Sequence, residues 1–171
     1  MKKIYIVITF TGTILSRIVR LITKKTYCHA SISLDKNLDN MYSFGRKNPY
    51  LLLPAGFIHE YKDKGTFKRF YKTKAKIYEL EVNQEQYNEL KKLIRDFNNN
   101  KDNLQFNIIG LVTAIFRLKI KRRKHYYCSE FVKYALDKSN IETNLPKCTR
   151  PDDFQILKNA HLIYQGELRN Y

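Results

Sequence analysis

A chain of 171 residues, 43% hydrophobic and 28% charged, has the length and composition of one folded domain spanning residues 1–171. Its 32 Lys and Arg against 16 Asp and Glu leave a net charge of +16, which draws it toward something anionic: nucleic acid, phospholipid headgroups or an acidic substrate. The 3 cysteines, Cys28, Cys128 and Cys148, form no CxxC pair, which excludes a disulfide framework and a zinc ribbon and points to a reducing compartment.

Ile4 to Phe10 is almost wholly apolar and β-branched, the pattern of a strand buried on both faces. The run is broken by Thr9, Gly12, Arg17 and Arg20 and no small-residue cleavage site follows, so it is read as neither a signal peptide nor a membrane span; the expected location is cytoplasmic. Thr11-Gly12-Thr13 then opens a helix with the apolar stripe Ile14, Ile18, Leu21 and Ile22, and Arg17 and Arg20 opposite. Such a helix also suits a membrane surface, but packing on the domain's own sheet is the expectation.

Tyr27 to Asp35 alternates: Cys28, Ala30, Ile32 and Leu34 point one way, Tyr27, His29, Ser31 and Ser33 the other. Met41 to Arg46 reads as the returning strand of a hairpin. Asn48-Pro49, Pro54 and Gly56 mark an irregular excursion that takes in His59. Phe67 to Tyr71 and Ala75 to Val82 read as further strands. Asn83-Gln84-Glu85-Gln86 resembles a capping box for a helix with the stripe Tyr87, Leu90, Ile94 and Phe97. Phe106 to Phe116 reads as a buried helix, Cys128 to Leu136 as a second, and Arg150-Pro151-Asp152-Asp153-Phe154 as another helix start. A short strand, His161 to Tyr164, follows. The pattern is α+β, an antiparallel sheet packed with helices.

The chemistry centres on Cys128. Unpaired amides and the dipole at a helix N-terminus favour thiolate over thiol, and the basic run Arg117 to Lys124 lies just upstream. Most free cysteines are nonetheless small buried hydrophobes, and the stretch by itself favours that reading. Cysteine catalysis also needs a base. His125 sits in the basic run three residues upstream, and His59 and His161 have no supporting pattern, whereas His29 alone is mounted on a strand among small polar neighbours.

Tyr27-Cys28-His29-Ala30-Ser31-Ile32-Ser33-Leu34 and Tyr126-Tyr127-Cys128-Ser129-Glu130-Phe131-Val132 together resemble the circularly permuted NlpC-type, papain-like thiol hydrolases. That group includes YiiX-like bacterial proteins and, more distantly, the lecithin:retinol acyltransferase family. In it the histidine strand precedes the cysteine helix, as here. The resemblance extends to Pro151–Phe154 and the tail Tyr164 to Leu168. It implies a permuted papain-like fold with Cys128 as nucleophile, His29 as general base and acid, and no cofactor. It also implies a polar orienting residue on the strand after the histidine strand. That strand offers Tyr42, Ser43 and Arg46, so Ser43 is the expected third member, with Glu60 a more distant candidate. The reaction implied is acyl transfer from a peptide, amide or lipid ester, by hydrolysis or to another acceptor. The basic patches at Lys62 to Lys76 and Arg117 to Lys124 favour an anionic substrate or a peripheral membrane contact.

Three other readings compete. A nucleic-acid module has the charge and the interleaved aromatics Tyr61, Phe67, Phe70 and Tyr71 but no recognisable motif, so no specific nucleic acid is expected. A metal site from Cys28, His29 and Cys128 is disfavoured because adjacent strand residues face opposite ways. A catalytically inactive member of the same fold, binding an anionic partner, gains from the weak third residue.

Overall fold

A computed structural model describes residues 1–118, 120 and 122–171, with the side chains of Ile14 and Leu15 also outside the description. Ile14 of the α1 stripe, and Lys119 and Lys121 of the basic run, therefore lie outside the described residues. The elements run β1 (Lys2–Phe10), α1 (Ile14–Thr23), β2 (His29–Ser33), β3 (Met41–Arg46), β4 (Ala55–Glu60), α2 (Gly65–Arg69), β5 (Lys74–Val82), α3 (Gln84–Asn99), β6 (Gln105–Phe106), α4 (Ile108–Ala114), β7 (His125–Tyr126), α5 (Cys128–Lys138) and β8 (Ala160–Glu167). Short 3₁₀ turns occupy Lys101–Asn103, Pro151–Ile156 and Leu168–Asn170.

Six strands form one antiparallel sheet in the order β4-β3-β2-β1-β5-β8, so the architecture is α+β. β1 lies near its centre, paired with β5 along its whole length, and this central place explains why Ile4 to Ile8 are buried on both faces. One face (Ile4, Ile6, Ile8, Ala30, Ile32, Phe44, Phe57) packs against α3 through Leu90 and Ile94 and against α5 through Phe131, Val132, Ala135 and Leu136. The other face carries Tyr5, Val7, Met41 and Ile77 under Phe67 of α2 and Leu168. Among the described residues no helix is long and apolar enough to cross a membrane.

The α3 capping box forms as expected, with Gln86 N–H donating to Asn83 Oδ1 at 2.8 Å and Asn83 N–H to Gln86 Oε1 at 2.9 Å. Four expectations are corrected. Phe67 to Tyr71 is not a strand: Gly65–Arg69 turns into a short helix that buries only Phe67. Ala55–Glu60, expected to be irregular, is the edge strand β4, paired with β3 from Met41–Glu60 to Arg46–Ala55. Pro54 and Gly56 interrupt its pattern; tertiary pairing overrides them. The α1 stripe does not pack on the sheet, for Ile18, Leu21 and Ile22 are exposed. Nor is α4 buried: Ala114 and Gly110 are covered, while Ile108, Ile109 and Val112 face outward.

Candidate active site

Cys128 is the first residue of α5, one turn before Phe131. Phe131 sits in an aromatic cluster with Phe44, Phe57 and Phe97 at ring-centroid distances of 5.3–5.4 Å. The cluster fixes α5 over β3 and β4, and with it the position of the thiol. Thr13, Asn83 and Asn107 side chains cap α1, α3 and α4, but Tyr127 places no side-chain cap on α5. The N-terminal amides beside Cys128 thus receive no acceptor from the N-cap side chain, and they stand at the positive end of the helix dipole.

His29 opens β2 with its side chain about one-fifth exposed (21%). Its Nε2 lies 2.9 Å from Glu60 Oε1 and 3.2 Å from Oε2, and the ring shares the lining of one cavity with Cys128, whose sulfur lies near enough to favour the ring's charged form. With Nε2 held by the carboxylate, Nδ1 is the nitrogen left for the sulfur. Burial opposes a charge on this ring, but the Glu60 carboxylate and the Cys128 sulfur outweigh it and raise the imidazole from 6.5 to about 10. At neutral pH the ring is an imidazolium.

Glu60 is itself nearly buried and accepts from Ser31 Oγ at 2.5 Å. β2 and β3 pair only at Ile32–Tyr42 and Ser33–Met41, so His29 and Ser31 lie where the ladder has stopped. Ser43, the expected orienting residue, is fully buried, and its hydroxyl donates to Ala30 O at 2.6 Å. It satisfies a backbone carbonyl that the ladder leaves open, and the carboxylate against the imidazole is that of Glu60. Glu60, the more distant candidate in the sequence, stood second because its strand went unrecognised, although it is the lone acidic residue between Asp39 and Asp63.

A cavity of about 190 Å³ opens beside Cys128 and His29. Its walls are largely aliphatic, from Val19 of α1, Leu52 and Leu53 of the 47–54 loop, and Ile108, Leu111 and Val112 of α4. Thr9, paired with His29 across β1 and β2, also lines it; its hydroxyl is buried and has no hydrogen-bond partner among the described residues. Cys28 borders the same cavity, but burial pushes its thiol up to about 12 and its Sγ donates to Ser16 O at 3.3 Å, which makes it inert. Cys148 is buried away from the cavity beside Tyr127.

The segment preceding His29 is tied down from afar. Tyr27 N–H donates to Asp152 Oδ1 at 3.3 Å. The same 3₁₀ turn anchors α4, since Arg150 donates to Ala114 O and Ile115 O at 2.9 and 2.6 Å, and Asp153 pairs with Arg117 at 2.6 Å. Of the other histidines, His59 contacts Asp39 O and Tyr61, and His125 contacts Arg123 O. Among the described residues no three His, Cys, Asp or Glu side chains gather as a metal ion would need.

No protein-family model matches the chain, and no curated protein is significantly similar to it.

Proposed function

We propose that the protein is a cysteine-dependent acyl hydrolase or acyltransferase with a permuted papain-like fold. The observation that carries this reading is the line Cys128–His29–Glu60, a thiol, an imidazole and a carboxylate brought together from positions far apart in the chain. Nucleophilic catalysis needs these three parts in this order. With its proton held by His29, Cys128 Sγ attacks the carbonyl carbon of an ester, thioester or amide as the thiolate. The C–S bond forms as the carbonyl oxygen takes up negative charge, which the uncapped amides at the start of α5 stabilise. Collapse expels the leaving group, which takes its proton from the His29 imidazolium. Water or an acceptor alcohol or amine then gives its proton back to His29, attacks the thioester and releases Cys128. Glu60 keeps the ring oriented throughout and stabilises its charged form whenever it holds the proton. The inactive-fold reading drew its weight from a weak orienting residue, and Glu60 answers that objection. The aliphatic cavity walls favour an acyl group with an apolar chain.

The test is a stopped-flow and mass-spectrometric assay with p-nitrophenyl esters of increasing acyl length. A burst of p-nitrophenolate, an acyl adduct on Cys128 and their loss in Cys128→Ala support the reading. Equal acylation of Cys28 and Cys148, or turnover unchanged in Cys128→Ala, refutes it.

A further inference from the structure

The rim of the cavity is built unlike the rest of the surface. α1 exposes Ile18, Leu21 and Ile22, with Leu21 at 81%; the loop before β4 exposes Leu51, Leu52 and Leu53; α4 and its extension expose Ile108, Ile109, Val112 and Phe116, the last at 66%. Single exposed apolar residues are ordinary, but these three segments all border one opening, since Val19, Leu52, Leu53, Ile108 and Val112 line the same cavity. Their charge is equally one-sided. Residues 11–34, 41–59 and 103–129 contain no Asp or Glu, yet carry four, two and six Lys or Arg. Arg17, Lys24, Lys25, Lys47 and Arg122 to Lys124, all exposed, come from these same segments, and Arg17 and Lys24 share a hollow with Leu21.

We propose that this face docks on an anionic phospholipid bilayer. The aliphatic tip enters the boundary between headgroups and acyl chains, while the surrounding cations lie against the headgroups. The same cations argue against a second copy of this chain, because a self-complementary contact would set one acid-free face against another. A polynucleotide would answer the charge but leave the leucines and isoleucines without a partner. Docking is independent of the proposed chemistry, and it turns the opening beside Cys128 toward the lipid.

The experiment is co-sedimentation with sucrose-loaded vesicles, of phosphatidylcholine alone or mixed with phosphatidylglycerol. The protein pellets with the mixed vesicles, less so as salt rises, and the triple variant Leu21→Glu, Leu51→Glu, Phe116→Glu loses at least tenfold in vesicle affinity. These side chains are exposed, so circular dichroism and melting stay as in the parent. Leu162→Glu, on the edge strand β8 at the far side of the sheet, leaves affinity unchanged. Cys128→Ala also pellets like the parent, which separates a failure of docking from a failure of the thiol chemistry. Equal binding by the triple variant, or no binding at low salt, overturns the proposal, as does a dimer that the triple variant converts to monomer.

Discussion

Glu60 holds His29 from the edge of the sheet, two strands away in the ladder order, with 2.9 Å between Oε1 and Nε2. Gly45 lies between them on the intervening strand. A Cβ there would stand 3.5 Å from His29 Cε1 and 3.9 Å from Glu60 Oε1, so the missing side chain is what opens the line between carboxylate and ring. The carboxylate thereby orients the imidazole and, together with the Cys128 sulfur, favours its charged form, and several consequences can be measured.

Glu60→Gln keeps the shape and removes the charge. The His29 titration moves down by about one to three pH units, the usual effect of losing an adjacent carboxylate. Acylation of Cys128 slows by about 10²-fold, because the ring is no longer held as imidazolium. Histidine NMR and burst kinetics read the two effects separately. An unmoved titration refutes the assigned role.

Stability carries the same signature. A histidine raised from 6.5 to about 10 binds its proton more tightly in the folded protein, so its contribution is complete below pH 6.5 and fades as pH rises toward 10. Urea midpoints of the parent therefore fall between pH 7 and 10 relative to those of His29→Gln. A constant difference across that range counts against the ion pair.

Ser43→Ala tests a different distinction. Its hydroxyl serves Ala30 O and not the imidazole, so the loss is about 1 kcal/mol of stability, the net worth of a buried hydrogen bond, with burst rates within a few-fold of the parent. A collapse of activity without loss of stability would restore Ser43 to the catalytic line.

Thr9→Val should behave in the opposite sense. The Thr9 hydroxyl is buried with no partner among the described residues, and Thr9 lines the cavity, so replacing the hydroxyl by a methyl leaves stability unchanged or higher. Acyl transfer falls by about tenfold if the hydroxyl hydrogen-bonds the substrate, since one such bond is worth about 1 kcal/mol. Thermal melts and ester kinetics on the same sample decide the point.

Sequence patterns revealed the central strands and α3 because their periodicity and capping agree with their burial. They singled out Cys128 as the start of a helix and His29 as the histidine of an alternating strand. They failed where tertiary contacts decide. Ala55–Glu60 contains a glycine and follows a proline, and it is a strand because Met41–Arg46 offers it a ladder. Without that strand, Ser43 stood ahead of Glu60 as the expected orienting residue. Phe67 and Phe70 suggested a strand, yet only Phe67 finds the core, from one turn of helix. The apolar stripes of α1 and α4 were read as inward-facing because periodicity identifies a face without saying what covers it.

The hydrogen bond from Tyr27 N–H to Asp152 spans 125 positions and ends two residues from the imidazole. The turn at Pro151–Ile156 is thus a strut for the segment that carries His29. Damage there would register as a mis-aimed ring and not as a missing one. Evolution would have to alter both ends of such a strut in concert, so a survey of divergent homologues that found residue 152 drifting freely while residue 29 stayed fixed would show that the strut bears no weight.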